Sequence, residues 1–143
     1  MQNLDKRITA HLIPYKINKE GFFVYLQKRS GTASRNPGWY TIFGGGFEGE
    51  EKPEQAMLRE IKEELNFIPS DYFYLGEYND DYSISYYYAV LVSNEFESDI
   101  KINEGEYGKF LSLDEMKSET KLSENNKRVL ADLYKKVTNP SII

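Results

Sequence analysis

Between Phe43 and Phe67 the chain reads FGGGFEGEEKPEQAMLREIKEELNF, placing Glu60, Glu63 and Glu64 within five consecutive positions directly after a run of glycines. From Pro53 onward the spacing predicts a helix. Proline suits a first helical turn, where its missing N–H is not needed. At about 100° per residue, Met57, Leu58, Ile61 and Leu65 gather into one apolar stripe. Glu60, Glu63 and Glu64 then share an adjoining face, at spacings that make helical side chains neighbours. Like charges so placed repel by a few tenths of a kcal/mol per pair. Arg59 offsets part of that charge, and a divalent cation would offset more, because hard cations such as Mg²⁺ select carboxylate oxygens. The plain alternative is a solvated Glu/Lys-rich surface helix. The preceding GGGFEG favours the cation, since backbone without Cβ atoms passes close to a ligand. A helix after a glycine loop also turns its positive end toward an anion.

The rest of the chain narrows the chemistry. Its 143 residues, 40% of them hydrophobic, are enough for one domain, 1–143, with a substantial core. There is no cysteine, which removes thiolate catalysis and Cys-ligated zinc. His11 is the single histidine and lies in a strand-like context, ITAHLIPY, where a structural role is expected. A net charge of −5 without a Lys/Arg cluster predicts no nucleic-acid partner. No apolar run approaches the roughly 20 residues of a membrane span, and the N-terminus lacks a signal-peptide pattern, so a cytoplasmic protein without membrane contact is expected.

Along the chain, RITAHLIPYKI and FFVYLQKR read as strands joined by the turn NKEG, and WYTIF as a short strand running into the glycines. YFYLGEY and SISYYYAVLVS are two more strands around NDD, the second rich enough in aromatic and β-branched residues to be central. NEFESDIKINEGEYG reads as polar loop, and KFLSLDEM as a strand meeting a short helix. SENNKRVLADLYKKV closes the chain as an amphipathic helix, with Ser123 as N-cap and Val129, Leu130 and Leu133 inward. Strands and helices so distributed suggest an α/β protein with a mixed sheet.

The glutamate-rich stretch resembles the Nudix box, G-x5-E-x7-R-E-U-x-E-E-x-G-U, in which U is a bulky aliphatic residue. Gly45, Glu51, Arg59, Glu60, Ile61, Glu63 and Glu64 match it, while Asn66 and Phe67 replace the late glycine and final aliphatic. Asn66 is expected in the left-handed conformation that glycine takes at a helix C-terminus. The resemblance extends to WYTIFGGG, to Arg29 closing a strand, and to EGEYGKF, where Glu104 precedes Phe110 with Glu106 as second choice. It implies the Nudix fold, an α/β/α sandwich around a mixed β-sheet, and hydrolysis of a nucleoside diphosphate linked to another group X. By resemblance, Glu60, Glu63 and Glu64, with the Gly45 carbonyl, would hold Mg²⁺, or Mn²⁺. Arg59 would orient Glu60, Glu51 would add an outer carboxylate, and Glu104 would be a further ligand or the general base. Arg29, Gly44 and Gly45 would meet the substrate.

Substrate choice is less legible. The short chain fits enzymes that convert a nucleoside triphosphate, oxidised purines included, to monophosphate and pyrophosphate. In that group an asparagine near the start of the last helix reads the base, a place Asn126 or Asn125 would take; first-turn capping is the alternative. Ser83 stands where ADP-ribose and dinucleoside-polyphosphate hydrolases carry proline or tyrosine, with Tyr82 one residue away. The element of NADH-cleaving members is missing. Nucleotide-sugar or other NDP-X hydrolysis is the second reading, and a non-catalytic nucleotide-sensing domain the third. The partner expected is a nucleotide, with the chain a monomer or homodimer.

Overall fold

The computed structural model of the chain describes residues 6–33, 36–102 and 107–139. Strands β1 (Arg7–Asn18) and β2 (Gly21–Lys28) form an antiparallel hairpin. They are followed by β3 (Tyr40–Thr41), β4 (Phe43–Gly46), helix α1 (Pro53–Leu65), β5 (Phe73–Asn79) and β6 (Ser83–Leu91). A short helix α2 (Phe96–Asp99), β7 (Tyr107–Ser112), α3 (Leu113–Ser118) and α4 (Glu124–Thr138) complete the order. The strands make one seven-stranded mixed sheet, β3-β2-β1-β6-β5, with β7 on β2 and β4 on β1.

Strand β1 organises this sheet. It runs parallel to β6 along Arg7–Tyr15, and on its other side it pairs first with β4 and then with β2. Alternation along a strand sends neighbouring side chains to opposite faces. Ala10 and Leu12 join Phe43, Tyr88, Val90 and helix α1 in one core cluster. Ile13 and Tyr15 join Val24, Leu26, Tyr87, Ala89 and helix α4 in the other. The sandwich of α1, sheet and α4 therefore follows from the parity of apolar residues in β1 and β6.

Helix α1 covers the predicted span. Its stripe is Ala56, Met57, Ile61 and Leu65, each fully buried. Leu58 packs at the margin instead of in the core, and the small Ala56 takes the central place, letting the helix approach the sheet. Burying a side chain the size of Leu, Ile or Met contributes about 1.5–3 kcal/mol, more than the repulsion among the glutamates on the other face. The helix starts with the Gln55 side chain accepting from Lys52 N–H at 2.8 Å. It ends at Asn66, left-handed at φ 51° and ψ 43°, whose N–H reaches the Lys62 carbonyl. In α4 the Ser123 hydroxyl accepts from Asn126 N–H, and Val129, Leu130 and Leu133 are buried.

Three expectations are corrected. The glycines are not a loop: Phe43–Gly46 is a strand, paired with Leu12–Thr9 of β1. The segment expected as one strand is split around Ile42, so that β3 serves β2 and β4 serves β1. The segment after β6 is not all loop either, because Phe96 is buried against Tyr25, Phe67 and Phe110 and anchors the turn of α2.

His11 belongs to this framework, as expected from its strand context. Its ring stacks on Tyr87 at 4.7 Å, and its nitrogens meet the Phe43 carbonyl and the Thr9 hydroxyl. Burial pushes its pKa down from 6.5 to about 4, against the opposing pull of the Phe43 carbonyl and with help from the nearby charge of Arg7. An unfolded chain accepts a proton at His11 in this window and the folded chain does not. Stability tied to His11 is therefore complete above the unfolded pKa and is lost as pH falls toward the folded one. Between about pH 7 and pH 4.5, urea unfolding of the wild type is expected to lose roughly 2–3 kcal/mol more than His11→Asn. Parallel pH profiles for the two proteins would overturn this.

Candidate active site

Helix α1 presents its charged face to the outer edge of β4. That edge has no strand partner among the described residues, so its polar backbone groups are available to side chains. The N–H of Gly44 donates to Glu64 at 3.0 Å, and the carbonyl of Gly46 accepts from Arg59 Nη2 at 2.8 Å. A strand edge is thus closed by a helix face through side chains.

Arg59 sits at the centre. Its Nε and Nη2 grip Glu51 at 2.7 and 3.0 Å in a bidentate pair, and its Nη1 meets Glu60 at 3.0 Å. Glu63 lies 3.3 Å away and Glu48 also 3.3 Å away, both on Nη1. Glu51 in turn accepts from the Glu48 N–H at 2.8 Å. The Arg59 hydrogen bond, followed by that backbone bond, holds the Glu51 carboxyl below its ordinary range. Hydrogen bonding to Glu51 is the main reason the Arg59 guanidinium holds its proton more tightly than usual.

The glycines explain how the helix comes so close. A Cβ at Gly45 would lie 2.6 Å from the Glu60 carboxyl carbon, so only glycine leaves room for that carboxylate against the strand. Gly44 has φ +143°, and a Cβ there would fall 2.3 Å from the Ala10 carbonyl. Parity places Gly45 toward α1 and places Gly44 and Gly46 toward the opposite face.

On that opposite face lies a cavity of about 410 Å³, floored by Ser83, Ser85 and Tyr87 of β6 and roofed by the first turn of α4. Asn125 and Asn126 both line it, as do Arg7, Asp80 and Arg128. The Asn126 N–H caps onto Ser123, as the plain alternative has it, and the side chain still reaches Tyr87. Burial is the main cause that raises the Tyr87 hydroxyl pKa. Phe22, Tyr25, Tyr87 and Tyr88 are sheet and core residues with little exposure.

The structure thus brings Arg59, Glu60, Glu63, Glu51 and Gly45 together, adds Glu64 through Gly44, and puts Asn126 across the glycine strand. Arg29 follows β2 directly, its N–H bonded to the Trp39 carbonyl, and is not among the residues lining the cavity. Glu104 and Glu106 lie outside the described residues. Glu48 and Arg7 are additional members that the sequence reading did not single out. Glu48 is visible in FEGE only once Arg59 is known to fold back toward β4. Arg7 is visible only once its parity with Thr9 and His11 is known.

As a cation site the donor set has the right chemistry: hard carboxylate oxygens, with the Glu63 side chain 56% exposed. Among the described residues no three acidic groups converge on one point. The reason is on view, since Arg59 engages Glu60 and Glu63 while Glu64 is turned to the Gly44 N–H. No helix among the described residues is long and apolar enough to cross a membrane.

Comparison with known proteins shows the same fold. A MutT/nudix family protein from Listeria innocua is similar in structure at TM-score 0.76 and 17% identity, covering 95% of this chain and 96% of that one. The MutT structure from a study of Aliivibrio salmonicida and Vibrio cholerae matches at TM-score 0.71 and 18% identity, covering 92% and 98%. The NUDIX domain of Shewanella oneidensis NrtR, crystallised with ADP ribose, matches at TM-score 0.73 and 18% identity, covering 92% and 88%. A longer NrtR chain, of which this one spans 62%, was crystallised with a 27mer DNA and matches at TM-score 0.70 and 20% identity over 92% of this chain. No curated protein matches the chain. The NUDIX domain family matches residues 6–133, nearly the whole described length, and the chain belongs to that family.

Proposed function

We propose that the protein is a metal-dependent hydrolase of a nucleoside diphosphate linked to X, with a nucleoside triphosphate, oxidised purines included, as its preferred class of substrate and a monophosphate and pyrophosphate as its products. The observation that carries this reading is a carboxylate cluster and a polar cavity on opposite faces of one glycine strand. A substrate laid across β4 would present its phosphates to Glu60 and Glu63 and its nucleoside to Asn126 and Tyr87. Gly44 and Gly45 would let the phosphates pass close to backbone, and Arg29 would contact the phosphate chain.

Glu60, Glu63 and Glu64, with the Gly45 carbonyl, would hold Mg²⁺ or Mn²⁺. When bound, such an ion neutralises phosphate charge and lowers the pKa of water attached to it. The chain supplies the rest. Arg59 keeps the glutamates from repelling one another before substrate arrives, and fixes Glu60 against Gly45. Glu51 fixes Arg59. The cavity face fixes the nucleoside, so that one phosphoanhydride bond is brought to the carboxylates. Nucleotide sugars and other NDP-X compounds would fit the same edge, with X leaving as its phosphate.

A product-resolved screen tests this reading directly. With Mg²⁺ present, nucleoside triphosphates, 8-oxo-dGTP, nucleotide sugars, ADP-ribose and dinucleoside polyphosphates are offered and the products weighed by mass. Monophosphate plus pyrophosphate is expected. Sugar phosphate would move the substrate class, and ligand-dependent thermal stabilisation without turnover would replace hydrolysis by sensing.

Two substitutions probe the residues. Glu63→Gln is expected to lower turnover by roughly a hundredfold or more. Its stability should change by less than about 1 kcal/mol, because the Arg59–Glu63 contact is an exposed pair. Wild-type turnover in that variant would remove Glu63 from the site. Gly45→Ala pushes the Glu60 carboxylate off the strand by on the order of 1 Å, for which about a hundredfold loss is expected with the fold retained. Circular dichroism and steady-state kinetics on the same preparation separate the two effects.

A further inference from the structure

On the cavity side of β4 a cation stands where the candidate mechanism has no use for one. Arg7 opens β1, with its N–H bonded to the Tyr82 carbonyl at 2.9 Å and its position paired with Ser83 of β6. Its backbone is therefore fixed while its side chain is exposed. The guanidinium lies over Gly46, with Nε and Nη2 each 3.7 Å from where a Cβ would be. Gly46 is the residue whose carbonyl Arg59 holds from the other side. The two arginines thus flank one glycine, Arg59 among carboxylates and Arg7 at the cavity wall.

Arg7 makes no ion pair with a carboxylate among the described residues. The carboxylate that lines its cavity, Asp80, is committed elsewhere. It accepts from the N–H groups of Tyr82 and Ser83 at 2.7 and 2.8 Å and from Asn125 at 3.2 Å, and the Tyr82 bond is the main cause holding its pKa down. Arg128, the other arginine of the cavity, is turned to Asn125 at 3.3 Å. In a chain of net charge −5, this wall is locally positive and holds, at the crossing between cavity and carboxylates, a planar fork that no carboxylate among the described residues engages. Such a fork matches phosphate oxygens in pairs.

We infer that Arg7 binds the phosphate attached directly to the nucleoside, and so selects 5′-phosphorylated nucleosides over bare ones. This rests on the reading that the nucleoside occupies the cavity. Arg7 holds the near phosphate from the cavity face while the phosphates beyond it cross β4 to the carboxylate edge. The pair of contacts sets the register of the phosphate chain, and with it which anhydride bond is presented.

The test uses binding without turnover. In EDTA, calorimetric titrations of dGMP, dAMP, dCMP and dTMP are compared with those of the matching nucleosides. At least one monophosphate is expected to bind about tenfold tighter than its nucleoside, the gain of one charged hydrogen-bonded contact. Arg7→Ala is expected to erase that margin while leaving nucleoside affinity intact, which also shows the cavity still folded; Arg7→Lys should keep part of it. A margin that survives Arg7→Ala overturns the inference, as does equal loss of nucleoside and monophosphate, or the absence of any margin in the wild type. Hydrolysis is scored separately: an Arg7-dependent margin in a protein that cleaves nothing would sink the hydrolase reading and leave this one standing.

Discussion

The charged half of the molecule depends on one guanidinium. Glutamates on neighbouring helical positions, beside another pair in the connecting loop, would crowd like charge along the edge of β4 if left to themselves. Arg59 reaches Glu48, Glu51, Glu60 and Glu63, and its remaining N–H ties the helix to the carbonyl of Gly46. The same side chain that lowers the repulsion therefore docks the helix onto the strand. The apolar stripe beneath gives the helix its reason to lie on the sheet, and Arg59 decides how its charged face meets the edge. It also makes the cluster responsive. Under the proposed function, carboxylates held by a cation that belongs to the protein would be shared with one that does not.

The second constraint is the single layer of glycine between two environments. Strand β4 carries Glu60 against one face and Arg7 with His11 against the other. Side chains at these positions would separate the two by the thickness of ordinary packing. Glycine reduces the partition to backbone alone, so that the two sides lie within a short length of each other. Gly44 adds a conformational requirement through its positive φ, and the pairing of β4 with β1 depends on it.

Much of this was legible in the residues. The helix, its ends, the left-handed Asn66 and the capping Ser123 follow from local chemistry acting over one or two turns, and the structure has them. The glycine strand was not legible, since a run of glycines has neither a β-propensity signal nor a side-chain alternation to read; only its pairing with Leu12–Thr9 makes it a strand. The short helix α2 was missed for a related reason: it is held by Phe96 packing against rings that are distant in sequence. At the site, the box spacing brought out Glu51, Arg59, Glu60, Glu63 and Glu64. Arg7 and the cavity depend on which face of β1 each residue takes, and that is fixed by long-range pairing with β6.

The division of β1 and β6 by parity has a consequence for how such a chain can vary. Residues at even positions of β1 support the helix that bears the glutamates, and residues at odd positions shape the cavity side. The two tasks are interleaved along the same few strands without sharing side chains. A point substitution at an odd position can reshape the cavity side while the carboxylate edge keeps its own supports. An insertion or deletion in either strand would exchange the two sets at once.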